Sequence, residues 1–201
     1  MSKDEIATWD RRYLDGSYQA RPSPFSFLEQ MMDRLPHGSP KRGRALDVAC
    51  GGGRNALFLA GHGYDVEGVD GSPEALRLAK EQAGARGLAV RWTEADLDDY
   101  APPQTGYAVI VNCFYLNRPL LARLVDALAD DGYIFIEQHL RTPLPIPGNR
   151  DWRMEPNELL ATLSGLRIVR YEEAIGRDED PGRDRDIATV RAVACKGPGG
   201  F

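Results

Sequence analysis

Apolar and polar positions alternate in blocks along this chain. Short apolar runs at residues 45–49 (ALDVA), 65–69 (DVEGV), 89–92 (AVRW), 108–112 (AVIVN), 133–137 (YIFIE), 167–172 (RIVRYE) and 187–195 (IATVRAVAC) have the length of strands. Between them, residues 54–61, 73–86, 119–129 and 155–163 carry apolar side chains at helical spacing. Each of these stretches opens or closes with Pro, Gly or an Asx/Ser cap, Ser72-Pro73 being a clear start signal. Strands that alternate with helices predict a mostly parallel sheet covered on both faces. The last two strands are separated only by GRDEDPGRDRD at 176–186, a loop of alternating charge, so they are expected to form an antiparallel hairpin at the edge of the sheet. The proline-rich RTPLPIPGNRDW at 141–152 is too irregular for an element and long enough to cover a site.

Composition narrows this picture without changing it. Of the 201 residues, 42% are hydrophobic and 27% charged, which suits one folded unit with a real core. A formal net charge of −5 argues against broad phosphate neutralisation, and therefore against a nucleic-acid partner. The opening MSKDEIATWD has no apolar core segment and no long apolar run follows, so a cytoplasmic location and no membrane partner are expected. Cys50, Cys113 and Cys195 are far apart and lack metal-ligand spacing; they read as reduced thiols, and no metal is expected. Nothing in the sequence decides the oligomeric state.

The most informative stretch is ALDVACGGGRNALFLA at 45–60, where three glycines stand between an apolar strand and a helix. A helix that starts directly after a buried strand presents unpaired N–H groups and a positive dipole end, and glycine lets a ligand approach that backbone closely. Gly51-x-Gly53-x-x-Ala56 fits a dinucleotide fingerprint, and Asp70 closes the next strand where an acid accepts ribose hydroxyls. Asp47, inside the first strand, sits where an apolar residue would suit a buried strand better and needs partners. It would repel a pyrophosphate, and so favours a cationic nucleotide without phosphate. Asp96, in EADL after the third strand, can accept an adenine amine while Leu97 donates a backbone N–H to a ring nitrogen. Its plainer role is that of a turn cap.

On these residues, LDVACGGG with Asp47, Gly51 and Gly53, VEGVDGS with Asp70 and EADL with Asp96, the chain resembles the class I S-adenosylmethionine-dependent methyltransferases. WDRRYLDGSY, PSPFSFL, FYLNRPLLARLVDALADDGYIFIEQ and NELLATLSGLRIVRYEE resemble the small tellurite-resistance, TehB-like group of that family. The resemblance implies an α/β, Rossmann-like, doubly wound, seven-stranded, mostly parallel sheet with an antiparallel C-terminal edge hairpin. It implies a helical cap at 1–40 over the cofactor, a core at 41–196 and a frayed tail at 197–201, all in one domain. The cofactor implied is S-adenosyl-L-methionine, leaving as S-adenosyl-L-homocysteine. Its expected contacts are Trp9, Tyr13, Asp47, Ala49, Gly51, Gly53, Asn55, Asp70, Gly71, Ser72, Asp96, Leu97, Asn112 and Cys113. The chain departs from the family pattern at Ala49, where a glycine is usual, at Ala108, where an acid is common, and at Asp131-Gly132, where proline-glycine is usual.

Methyl transfer from a sulfonium is an in-line displacement that alignment and desolvation accelerate, so no catalytic triad is required and none is visible. NCFY at 112–115 is similar to the Asn-Pro-Pro-Tyr of adenine-amine methyltransferases but lacks both prolines. His139, just past the fifth strand, is the candidate general base, its alternative being a hydrogen-bonded structural histidine. The expected activity is transfer to a small-molecule acceptor. A nicotinamide-dependent oxidoreductase and a non-catalytic S-adenosylmethionine-binding protein are the rival readings; the first is disfavoured by Asp47 and by the lack of a Tyr-x-x-x-Lys pair.

Overall fold

The computed structural model describes residues 3–18, 23–35, 40–103, 105–143, 150–178 and 185–197. Two helices, α1 (Lys3–Leu14) and α2 (Ser26–Met32), precede a core built from β1 (Arg44–Val48), α3 (Arg54–Gly61), β2 (Asp65–Asp70), α4 (Pro73–Ala85) and β3 (Val90–Glu94). The second half follows as β4 (Tyr107–Cys113), α5 (Arg118–Ala127), β5 (Leu128–His139), α6 (Glu158–Thr162), β6 (Arg167–Arg177) and β7 (Asp186–Cys195). All strands join one sheet in the order β3-β2-β1-β4-β5-β7-β6. The first five run parallel, whereas β7 pairs antiparallel with both β5 and β6. The expected edge hairpin is therefore present, with β7 inserted between β5 and β6. Because the chain leaves β1 toward β2 and later returns to the other side of β1 as β4, the switch point of the sheet lies between β1 and β4. A crevice at the carboxyl ends of those strands is where such folds bind ligands.

Strand alternation divides the core into two layers. Leu46, Val48, Ile110, Ile134 and Ile136 face α5 and α6 through Leu120, Leu121, Leu124, Leu159 and Leu163. Ala45, Val66, Val109, Val111 and Phe135 face α2 and α3 through Phe25, Phe27, Leu28, Ala56 and Leu59. Each fully buried leucine or phenylalanine contributes about 1.5–3 kcal/mol of transfer free energy. The sheet is thus clamped from both sides and leaves only its strand ends open.

Local chemistry fixes the helix boundaries. Ser72 caps α4 by accepting from the Ala75 N–H at 3.1 Å, with Pro73 in the first turn, as the Ser-Pro pair predicts. Asn117 does the same for α5, accepting from Leu120 N at 2.8 Å. That helix ends at Ala127 and not at 129, because Leu128 already pairs with Tyr107 as the first residue of β5. The helix expected at 155–163 is confined to Glu158–Thr162; Asn157 before it has φ 64°, a left-handed conformation that cannot propagate a helix. The centres of the proline-rich and charged loops, 144–149 and 179–184, and most of the 197–201 tail lie outside the described residues.

One ion pair crosses the β5–β7 seam. Arg191 stands opposite Glu137 in the register and its Nε donates to Glu137 Oε1 at 2.8 Å, with the Glu137 side chain 3% and the Arg191 side chain 22% exposed. Removing one partner of a buried pair strands the other charge. Arg191→Ala is therefore expected to cost about 3 kcal/mol, the lower end of the range for such breaks, since Arg191 keeps partial solvation. The double replacement Glu137→Leu/Arg191→Leu should recover most of that loss. Chemical-denaturation midpoints of the two variants check both expectations.

Candidate functional site

The turn after β1 is tightly folded: Ala49 (φ 56°), Gly51 (φ 53°) and Gly53 (φ 83°) all adopt left-handed backbone within five residues. Ala49 holds this conformation at the cost an L side chain imposes, on the order of 1–2 kcal/mol. The glycines are needed for closeness from two sides. A Cβ on Gly51 would collide with the Tyr13 hydroxyl, and one on Gly53 would lie 2.7 Å from the Trp92 ring and 3.0 Å from Ala79.

Gly53 is the N-cap of α3 and offers no side chain, so the helix borrows a cap from the strand before it. Asp47 projects toward the α3 face and its Oδ2 accepts from Ala56 N at 2.9 Å. Asn55, 4% exposed, hydrogen-bonds Asp47 with its side chain and accepts from Phe25 N at 3.1 Å, which ties α2 to the loop. Burial raises the Asp47 carboxyl to about 7, against the lowering by the Ala56 amide, the Arg54 charge and Asn55.

Asp70 closes β2 directly beside this loop. Its Oδ2 accepts from Gly51 N at 2.8 Å and its Oδ1 from Ser72 N at 2.9 Å. The carboxylate is 7% exposed and its pKa is raised by burial, opposed by the amides of Ser72, Gly51 and Gly71. With one of these two N–H groups on each oxygen, it keeps acceptor capacity for a pair of vicinal hydroxyls. A nucleoside without phosphate fits this chemistry. A pyrophosphate would meet the buried Asp70 carboxyl in the cleft wall, whereas Asp47 lies behind the loop and does not line the cleft.

A cleft of about 120 Å³ lies over the loop, smaller than the roughly 300–1,000 Å³ usual for small-molecule sites. Of the residues singled out from sequence, Trp9, Tyr13, Ala49, Gly51, Asn55, Asp70 and Cys113 line it. Gly52 of the glycine run and Phe114 and Tyr115 of NCFY line it as well, and so do Tyr18, Cys50 and Arg54, which sequence reasoning did not put among the contacts. For Cys50 and Arg54 the signal was available, since they flank the glycine run. Trp9, Tyr13 and Tyr18 form one aromatic cluster, with ring centroids 5.2–6.4 Å apart. Burial pushes the Tyr13 phenol well above its ordinary value and the Cys50 thiol up as well, so both remain protonated.

Other expected residues take supporting positions. Gly53 lies under the loop against Trp92. Gly71 and Ser72 form the turn that holds Asp70. Asp96 Oδ1 accepts from Asp98 N at 3.0 Å, a turn cap, and Leu97 is fully buried in the α5-side core. Asn112, fully buried, accepts from Gln138 Nε2 at 2.6 Å, and that same nitrogen donates to Tyr115 O at 3.1 Å. This fixes the Asn112 amide with its Nδ2 buried and without a hydrogen-bond partner. His139 does not line the cleft; its ring packs at 4.8 Å against Phe114, which does. The three cysteines are free thiols, and among the described residues no His, Cys, Asp or Glu cluster could hold a metal.

Residues 45–132 match the model of a family described as a methyltransferase domain. The chain is 34% identical over 183 residues to the ubiquinone biosynthesis O-methyltransferase of Burkholderia ambifaria (strain MC40-6), covering 76% of this chain and 78% of that protein. It is 30% identical over 165 residues to Hemagglutinin 1 of Eikenella corrodens, covering 76% of this chain and 54% of that protein. Among solved structures, TehB from Haemophilus influenzae superposes with a TM-score of 0.76 at 21% identity, over 93% of this chain and 67% of that one. This last likeness shows the fold. The chain spans 42 to 61% of the length of the first curated relatives it matches.

The buried Asp47 carboxyl has a consequence for stability. Its pKa is raised from 3.8 to about 7, so the folded protein holds this proton more tightly than the unfolded chain does. The resulting stabilisation is fully present below about pH 4 and is lost as pH rises through about 7. Asp47→Asn keeps an oxygen for the Ala56 amide and does not titrate. It should therefore be the more stable protein above pH 7, by on the order of 2–4 kcal/mol, with the difference shrinking toward pH 4. Denaturation midpoints of both proteins from pH 4 to 8 check this.

Proposed function

Because this chain belongs to the class I S-adenosylmethionine-dependent methyltransferases, we propose that it transfers a methyl group to a small-molecule acceptor at the carboxyl ends of β1, β2 and β4. The observation that carries this reading is the Asp70 carboxylate, buried beside the glycine loop, fixed by Gly51 N and Ser72 N and still able to accept from a ribose. When bound, S-adenosylmethionine would supply a sulfonium methyl whose carbon an aligned nucleophile attacks as the S-adenosylhomocysteine thioether leaves.

The chain's own residues would bind, orient and dry that site. We assign Asp70 to the ribose hydroxyls, Asp96 and the Leu97 amide to the adenine edge, and the backbone at Asn112 and Cys113 to the methionine ammonium. Asp47 supports the loop through Ala56 and Asn55. Trp9, Tyr13 and Tyr18 make the mouth of the cleft aromatic, which favours desolvation of the reacting groups. We read residues 1–40 as a cap and 41–196 as the core of one domain. An acceptor bearing a hydroxyl is supported by the name of the Burkholderia relative, an O-methyltransferase. His139 stands one ring behind the cleft, packed at a tilt against Phe114, so a proton leaving the acceptor would reach it by displacement of that ring or through water. Among the described residues no helix is long and apolar enough to cross a membrane.

The test is direct titration. S-adenosylmethionine and S-adenosylhomocysteine should each bind and raise the unfolding temperature, while NAD and NADP should do neither. Asp70→Ala should weaken S-adenosylhomocysteine binding tenfold or more, the loss of charge-assisted hydrogen bonds worth about 1.5–3 kcal/mol, without unfolding the protein. Micromolar NAD binding with none for S-adenosylmethionine would overturn the assignment.

A further inference from the structure

The aromatic segment is fastened to the core by a residue that the cofactor reading leaves unused. Asp10, on α1, stands far in sequence from α4, yet its Oδ1 accepts both from Ser72 Oγ at 2.8 Å and from Glu74 N at 2.9 Å. Both donors belong to the amino-terminal end of α4, a helix of 13 residues. The Glu74 N–H is one of the first-turn groups that have no partner within their own helix, and a carboxylate there also meets the positive end of the helix dipole. Ser72 serves three purposes at once. Its hydroxyl oxygen accepts from Ala75 N, its hydroxyl proton goes to Asp10, and its backbone N–H goes to Asp70 Oδ1. Asp70 in turn holds Gly51 N with its other oxygen. One continuous run of hydrogen bonds therefore leads from α1 through the Asp70 turn to the glycine loop.

Tyr13 is three residues beyond Asp10 and shares its face of α1. Its hydroxyl lies against Gly51 and its oxygen is hydrogen-bonded by the Gly52 amide. The helix thus touches the core on both sides of Asp70: Asp10 at the α4 terminus and Tyr13 at the glycine loop. Trp9 and Tyr18 pack on Tyr13 and follow it.

We propose that Asp10 is a positioning residue, a latch that holds α1 over Asp70 and thereby slows the escape of bound cofactor. This rests on the assignment of the ribose to Asp70. A cofactor seated on that carboxylate steadies the Gly71-Ser72 turn, and that turn presents the Ser72 hydroxyl and leads directly into the Glu74 N–H, the two donors that Asp10 needs. Cofactor and latch therefore strengthen each other, reciprocally, as linked equilibria must. Because Tyr13 lies over the glycine loop, departure of the cofactor requires α1 to lift, and lifting requires Asp10 to let go.

The test uses the full chain and two readouts. In the free protein, Asp10→Ala should speed amide exchange across residues 6–14 about tenfold, and in the complex it should raise the dissociation rate of S-adenosylhomocysteine about tenfold with the association rate equal or higher. Asp10→Asn, which keeps an oxygen for both donors, should stay within about threefold of the parent in each readout. Thr8→Ala is the control, since the Thr8 hydroxyl donates to Asp4 O within α1 and, among the described residues, to nothing in the core, and it should change neither. Unchanged exchange in Asp10→Ala would overturn the latch. Faster exchange with an unchanged dissociation rate would overturn its coupling to the cofactor. Failure of the parent to bind S-adenosylhomocysteine in a calorimetric titration would overturn the cofactor reading itself, and the exchange experiment distinguishes that failure from failure of the latch.

Discussion

The site depends on one carboxylate placed where three segments end. Asp70 terminates β2, takes a backbone N–H from the glycine loop on one oxygen and from the α4 turn on the other, and is almost fully buried. A charge in that position is costly unless its lone pairs are engaged, which is why the surrounding backbone turns its amides inward. The same economy limits what can bind there. The remaining acceptor capacity of Asp70 suits neutral hydroxyl donors better than anions.

Asp47 and Asp70 are both buried acids, yet their surroundings assign them different work. Asp47 caps a helix whose own N-cap is a glycine, lies wholly inside, and is pushed toward neutrality at about 7. Asp70 borders the cleft and is stabilised by the amides of Ser72, Gly51 and Gly71. The two carboxyl groups thus differ by solvent access and by the number of donors, not by residue type.

Much of this was legible in the sequence because it rests on local signals. The strand rhythm gave seven strands and the edge hairpin, Ser72-Pro73 marked a helix start, and the glycine run with Asp70 marked the crevice. What was missed depends on contacts between distant segments. The early start of β5 at Leu128 is set by pairing with Tyr107, and the short α6 by the left-handed Asn157. No spacing rule could place the Asp10 carboxylate on the end of α4, nor the Tyr13 hydroxyl on the glycine loop. Likewise, the position of His139 behind Phe114 follows from how the chain turns after β4, where Phe114 itself has φ 57°.

The glycines also look different once packing is considered. Flexibility is the property usually attached to them, yet here they are used to bring rigid groups close. The Trp92 ring lies against both Gly53 and Gly68 from below, so that a Cβ on either would fall within 2.7 Å of it. Tyr13 presses on Gly51 from above. The loop is therefore held between an indole fixed in the sheet and a phenol carried by α1. The lower contact joins the loop to a strand of the sheet, and the upper one joins it to α1. A binding loop built this way can keep its N–H groups oriented while its cover lifts, which separates the rigidity that recognition requires from the motion that exchange of the ligand requires.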